Sequence, residues 1–261
     1  MDKKKLIKKI EKIIKEPVIK KINKYSPETQ YMPFQKAIVG EKYRAIFSFV
    51  HSMSTTFGMS IWEQISVTIA KARGFEAISQ YDIQGSISDN TDNKINKFLT
   101  EMRLKNIKPD TKKINLEIKK FAKNGALKFE NDKDKRVDVF IRDNNNNIYF
   151  IDITSVKPNM KEFSAMKLKL MRWTAIGYAF YKAKNVYSLM CMPYNPYYPN
   201  QYDRFSGDPT CDYKNDLLVG EEYWNTIAGY KIYNKLISSF EKIGKASRKD
   251  LEKAISKFTN L

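Results

Sequence analysis

Arg136-Val137-Asp138-Val139-Phe140-Ile141 and Ile148-Tyr149-Phe150-Ile151-Asp152-Ile153-Thr154 flank the polar run Asp143-Asn144-Asn145-Asn146-Asn147. Two short stretches of β-branched and aromatic residues on either side of an Asn-rich turn predict a β-hairpin, with strands over 137–141 and 148–154. A helix from about 161 to 184 and a strand over 186–192 follow, so the hairpin is continued by a crossover. Upstream, residues 75–88 read as extended. Hairpin and crossover connections in one sheet between helices make the fold class α/β (α+β), a central mixed sheet flanked by helices.

The flanks read as mostly helical. Over 3–24, Leu6, Ile10, Ile13, Ile14, Val18 and Ile22 recur at spacings of three and four among lysines, a basic amphipathic helix with Pro17 inside it. Such a helix suits a membrane surface or DNA phosphates, but an Ile stripe packed on the core is the simpler expectation. Residues 41–50 are helical in pattern, and Ser54, Thr55 or Thr56 is the expected N-cap of a helix over 58–73 that Gly74 ends. Helices are expected at 91–105, 110–123, 221–228, 230–242 and 247–258. Neither a repeat nor a linker-like composition interrupts the chain, so a single domain over 1–261 is expected.

Composition narrows the function. Of 261 residues, 47 are Lys or Arg and 29 are Asp or Glu, a net charge of +18, which suits a polyanionic partner. Lysine outnumbers arginine 39 to 8, so part of that excess is compositional bias. No run of about 18 uncharged apolar residues occurs, and lysines break up the N-terminal stretch, so neither a membrane span nor a secretory signal is expected. Cys191 and Cys211 cannot build a disulfide framework, and the chain reads as soluble and cytoplasmic. No Gly-rich phosphate loop or cofactor fingerprint is present, which argues against a nucleotide cofactor. His51, the only histidine, cannot supply a two-His metal site, and a solvent or capping role is expected for it.

The chemistry points to Asp138 and Asp152. Strand alternation puts Asp138 on the face of Phe140 and Asp152 on the face of Thr154. Burying a carboxylate without a partner costs several kcal/mol, and two of them about 4 Å apart repel by roughly 4 kcal/mol at an effective dielectric of 20. A divalent cation relieves both penalties, and Mg2+, which favours oxygen ligands, would use two aspartates and a substrate phosphate. Lys157, just past the second strand, would position a water and offset charge on phosphorus. A surface lysine and a buried salt bridge are the plainer readings of Lys157 and Asp152.

Val137-Asp138, then Asp152-Ile153-Thr154 with Lys157, resembles the PD-(D/E)XK nuclease core. Tyr149-Phe150-Ile151-Asp152-Ile153-Thr154-Ser155-Val156-Lys157-Pro158-Asn159 is similar to the core of TdeIII-type type II restriction endonucleases. The stretches 31–37, Ser54-Thr55-Thr56-Phe57-Gly58 and Pro193-Tyr194-Asn195-Pro196-Tyr197 add to that likeness. The resemblance implies a restriction-endonuclease-like core and a homodimer that cuts both strands of a short palindromic site in double-stranded DNA, dependent on Mg2+. It assigns metal binding to Asp138 and Asp152, and also to Glu63 as the match for an acidic residue on a helix ahead of the core. The family pattern has Lys two residues after the second acid, where this chain has Thr154. A hydroxyl can bond a water but brings no positive charge, so Lys157 or another lysine would have to supply it.

Lys161, Lys167, Lys169 and Arg172 on the following helix are candidate phosphate contacts, Lys161 and Lys167 foremost, and Tyr194, Asn195 and Arg204 are candidates for the DNA cleft. Prolines there equally make a rigid loop. A repair or junction nuclease of the same core, a DNA-binding protein without activity, and a membrane-surface protein are the alternatives.

Overall fold

The structure, a computed structural model, describes residues 2–26, 31–127, 132–154, 156–158, 163–205 and 207–259. They fall into two compact units, one formed by Met1–Thr68 with Ile232–Leu261 and the other by Ile69–Lys231.

The second unit holds the sheet. Its strands are β1 (Glu76–Asp82), β2 (Arg136–Arg142), β3 (Asn147–Ile153), β4 (Asn185–Met192) and β5 (Leu217–Val219), in the order β1-β2-β3-β4-β5. The first two pairings are antiparallel and the last two parallel, which bears out the mixed sheet expected from the hairpin and crossover. Asp143 builds the hairpin turn. One carboxylate oxygen accepts the N–H groups of Asn145 and Asn147, and the other accepts the Asn147 amide. This Asx turn is set locally, and Asn146 at its tip also donates to the Lys182 carbonyl and accepts the Lys184 N–H.

One face of the hairpin carries Phe140 and Phe150, whose rings lie 5.8 Å apart. Helix α6 (Phe163–Ala179), the crossover from β3 to β4, lies over that face, with Trp173 6.3 Å from the Phe150 ring and the Thr174 hydroxyl bonded to Ser188 on β4. A Cβ at Gly177 would stand 2.6 Å from Val186 Cγ2, so the helix approaches β4 where it has no side chain. Helices α4 (Asp89–Arg103) and α5 (Thr111–Phe121) enlarge this core through Ile95, Leu99, Ile114 and Ile118. Ser88 and Asp110 cap them, each accepting a backbone N–H of the first turn. The short helices α7 (Tyr213–Asp216) and α8 (Glu221–Ala228) complete the unit.

The first unit is helical. In α1 (Lys3–Lys24) the stripe Leu6, Ile10, Ile14, Val18 and Ile22 is buried, and the helix packs on α9 (Tyr233–Thr259). That is the core-packing role expected of the Ile stripe. Pro17 stays inside the helix.

Two readings of the helices need correction. Residues 51–56 belong to α2 (Pro33–Thr56), which continues through a π turn over Phe57–Ile61 into α3 (Trp62–Ala72). Ser54, Thr55 and Thr56 therefore cap nothing. Their hydroxyls donate to the carbonyls of Val50, His51 and Ser52, four residues back. His51 is an exposed helix residue stacked on Phe47, not a cap. The two helices expected at 230–242 and 247–258 are one, because α9 runs unbroken through Gly244.

Candidate active site

The sheet register sets the geometry of the acidic pair. Val139 faces Ile151 and Phe140 faces Phe150 where the β2–β3 pairing ends, and continuing that register by one residue on each strand puts Asp138 opposite Asp152. Residues directly opposite on antiparallel strands point to one side, so both carboxylates share the Phe140 and Phe150 face, beyond its aromatic part. The row extends sideways. Gln80 on β1 donates its amide to Asp138 Oδ1 at 3.2 Å, and Asp152 pairs with Met190 on β4. Gln80 has φ of 50°, an unusual conformation for a residue with a side chain.

The Ile153 N–H donates to Asp138 Oδ2 at 2.6 Å. Burial, and then the charge of Asp152, nevertheless push the Asp138 carboxyl up from 3.8 to about 6. That amide, the Lys169 charge and Gln80 pull the other way without cancelling the rise. The pair is thus short of positive charge.

A lysine meets the acids, and of the two possibilities left open it is a lysine other than Lys157. Lys169 on α6 donates to Asp152 Oδ1 at 3.2 Å, with both side chains mostly covered, 19% and 17% exposed. Its Nζ lies 4.7 Å from the ring centroid of Trp173, one turn further along the same helix. Lys157 is exposed, with its Nζ 5.7 Å over the Tyr197 ring. Thr154 is half-buried and donates its N–H to the Cys191 carbonyl, continuing the β3–β4 pairing. Gln80 is the residue that reading the sequence missed, and Lys169 was read only as one of the basic residues of α6 that could touch phosphates. Gln80 carried no signal, and Lys169 was one lysine among several on a helix whose rotational setting depends on packing.

The remaining candidates are dispersed. Glu63 is buried, at 5% exposure, on α3 in the helical unit. Lys161 lies outside the described residues. Lys167 corrects an expectation. Its ammonium is 1% exposed and donates to both Asp216 oxygens at 2.7 Å and to the Thr111 hydroxyl at 2.6 Å, which leaves it no access to a DNA phosphate. Two residues apart on a helix is about 200° of rotation, so Lys167 and Lys169 face different neighbours. Tyr194 is exposed. Asn195 accepts the Tyr197 N–H and donates to the Asn200 carbonyl, which shapes its own loop. Arg204 donates to the Pro158 carbonyl at 3.0 Å and ties that loop to the segment leaving β3.

The family model for HinfI type II restriction endonucleases matches residues 2–244, nearly the whole chain. The chain belongs to the HinfI family. Among its relatives is the type II restriction enzyme HgiEI of Herpetosiphon aurantiacus, 23% identical over 230 residues, 87% of this chain and 82% of that enzyme. The type II restriction enzyme MjaII of Methanocaldococcus jannaschii is 25% identical over 241 residues, 84% of this chain and 63% of that longer protein. HgiCII, also of H. aurantiacus, is 23% identical over 88% of this chain and 84% of its own length. This HinfI-family protein is a site-specific deoxyribonuclease of a restriction system, and its substrate is DNA.

Type II restriction endonucleases generally use divalent metal ions. The donor set of the HinfI-family chain fits one. Two carboxylates on adjacent strands offer hard oxygen ligands, and their mutual repulsion favours a cation between them. Among the described residues no third His, Cys, Asp or Glu joins them, so water and phosphate oxygens would complete the coordination. No described helix is long and apolar enough to cross a membrane.

Proposed function

We propose that this HinfI-family enzyme is a Mg2+-dependent nuclease with a PD-(D/E)XK-type core that hydrolyses one phosphodiester in each strand of a short palindromic duplex site. Asp138 and Asp152 hold the ion in this reading. Its main support is two carboxylates side by side on one face, the first pushed up to about 6 by burial and then by the charge of the second. A bound divalent cation supplies positive charge to the attacking water and to the phosphate oxygens. The water oxygen bonds to phosphorus as the bond to one sugar oxygen breaks. That oxygen leaves with a proton from the water, and the other product is a phosphate monoester.

The backbone of the duplex lies along the acidic row, with Tyr194 at its side and Arg204 steadying the segment that carries Lys157. A palindromic target calls for a two-fold homodimer. Support for self-association comes from the part of α2 that follows a kink at Gly40, where Tyr43, Phe47 and Val50 are all more than half exposed at helical spacings of four and three. On a chain of charge +18, an uncharged stripe is where two copies meet with least repulsion.

Purified protein incubated with plasmid and Mg2+ gives discrete fragments, and Asp152→Ala abolishes them while DNA binding remains. Cutting by the Asp152→Ala protein at the unsubstituted rate would falsify the assignment.

A further inference from the structure

We propose that Lys169 is the lysine of the reaction, held on Asp152 until the cation binds and then transferred to the scissile phosphate. This rests on the reading that Asp138 and Asp152 hold the cation. The ammonium sits 3.2 Å from Asp152 Oδ1, and its charge is felt at Asp138 as well. It therefore takes the position of a counterion for the pair. A divalent cation on the same carboxylates satisfies their charge and repels a neighbouring ammonium, so the Lys169–Asp152 contact weakens as the ion arrives.

Where the ammonium goes next follows from its second contact. The Trp173 ring, 4.7 Å away on the same helix, attracts the cation through its π face, whatever charge Asp152 carries. Trp173 is itself fixed, fully buried with its indole N–H bonded to the Asp134 carbonyl. The ammonium is thus kept beside the site when Asp152 lets go, and the nearest new anion is the phosphate drawn to the ion. Lys169 moves no proton in this step. It offsets the negative charge that develops on the phosphate oxygens, which Thr154, two residues after Asp152, cannot do.

The exchange predicts opposite effects on binding and on rate. Lys169→Met removes a competitor for the carboxylates, so Mg2+ titrated calorimetrically into the full chain without DNA binds several-fold tighter than to the unsubstituted protein. The same variant cuts plasmid about 100-fold more slowly at saturating Mg2+, the usual loss when one charge-stabilising donor is removed. Lys169→Arg, which keeps the charge, recovers a tenth or more of the rate. Lys169→Gln, which keeps a polar tip for Asp152, behaves as Lys169→Met does and serves if the Met variant does not fold. A merely structural lysine would weaken ion binding and rate together. Unchanged cleavage in a folded neutral variant overturns the proposal, and so does weaker Mg2+ binding by it. Cleavage by Asp152→Ala at full rate instead overturns the carboxylate reading beneath it.

Discussion

Asp138 carries a cost that the enzyme bears for its site. A carboxyl normally near 3.8 is raised to about 6 here, so the folded chain holds that proton more tightly than the unfolded one. Its contribution to stability is complete below about pH 3.8 and is lost as pH rises through about 6, a difference of about 3 kcal/mol. Asp138→Asn is expected to resist urea better than the unsubstituted protein at pH 7.5, with the gap closing toward pH 4. A gap that does not change with pH would remove the burial argument. The ion acts in the opposite sense, because it needs the carboxylate ionised, and its affinity should fall as pH drops below about 6. At this scale the sequence was readable where chemistry is local. The hairpin brings two acids fourteen positions apart to one face through alternation alone. It was not readable for lysines, since Lys157, Lys167 and Lys169 have the same side chain. Only their surroundings make one exposed over a tyrosine, one buried on Asp216 and one a partner of Asp152.

Helix α6 determines how the acids are covered. It is the crossover between parallel strands, and it lies against β4 at Gly177, where any side chain would strike Val186 and come within 3.2 Å of Phe150. Gly177→Ala is expected to destabilise the fold by about 1–3 kcal/mol through overpacking, despite the better helix propensity of alanine. It should also loosen the Lys169–Asp152 contact, since both lysine and glycine ride on one rigid helix. Denaturant unfolding measures the first effect, and a stability equal to or above that of the unsubstituted chain would show that the helix has room to move. Four of the five strands and most helices lay close to their expected spans because periodicity and turn chemistry are local signals, whereas the three-residue β5 fell in a stretch that reads as loop. The Ser54-Thr55-Thr56 stretch misled for a physical reason. A hydroxyl can bond a free N–H at a helix start or a carbonyl four residues back in mid-helix, and the residue type is the same in both. The gap expected between 242 and 247 is likewise helix, because α9 continues through it.

At the scale of the whole molecule, charge and an apolar stripe work together. A net charge of +18 should make DNA binding without cleavage steeply salt-dependent, each neutralised phosphate adding about −0.9 to the log–log slope. The α2 stripe leads to a separate expectation. Phe47→Glu puts a charge at its centre and should convert a dimer to a monomer in light scattering at micromolar concentration, with a large loss of double-strand cutting. A Phe47→Glu protein that keeps the mass of the unsubstituted one would exclude this face. The amino-acid order by itself determined the hairpin, the mixed sheet, the crossover helix and the acidic pair, because each follows from neighbours in sequence and from alternation along a strand. Tertiary packing alone decided which ammonium reaches Asp152, that Gln80 reaches Asp138, and that Lys167 is sealed against Asp216. Those contacts join residues on different elements, where helix rotation and strand order, rather than residue type, set what touches what.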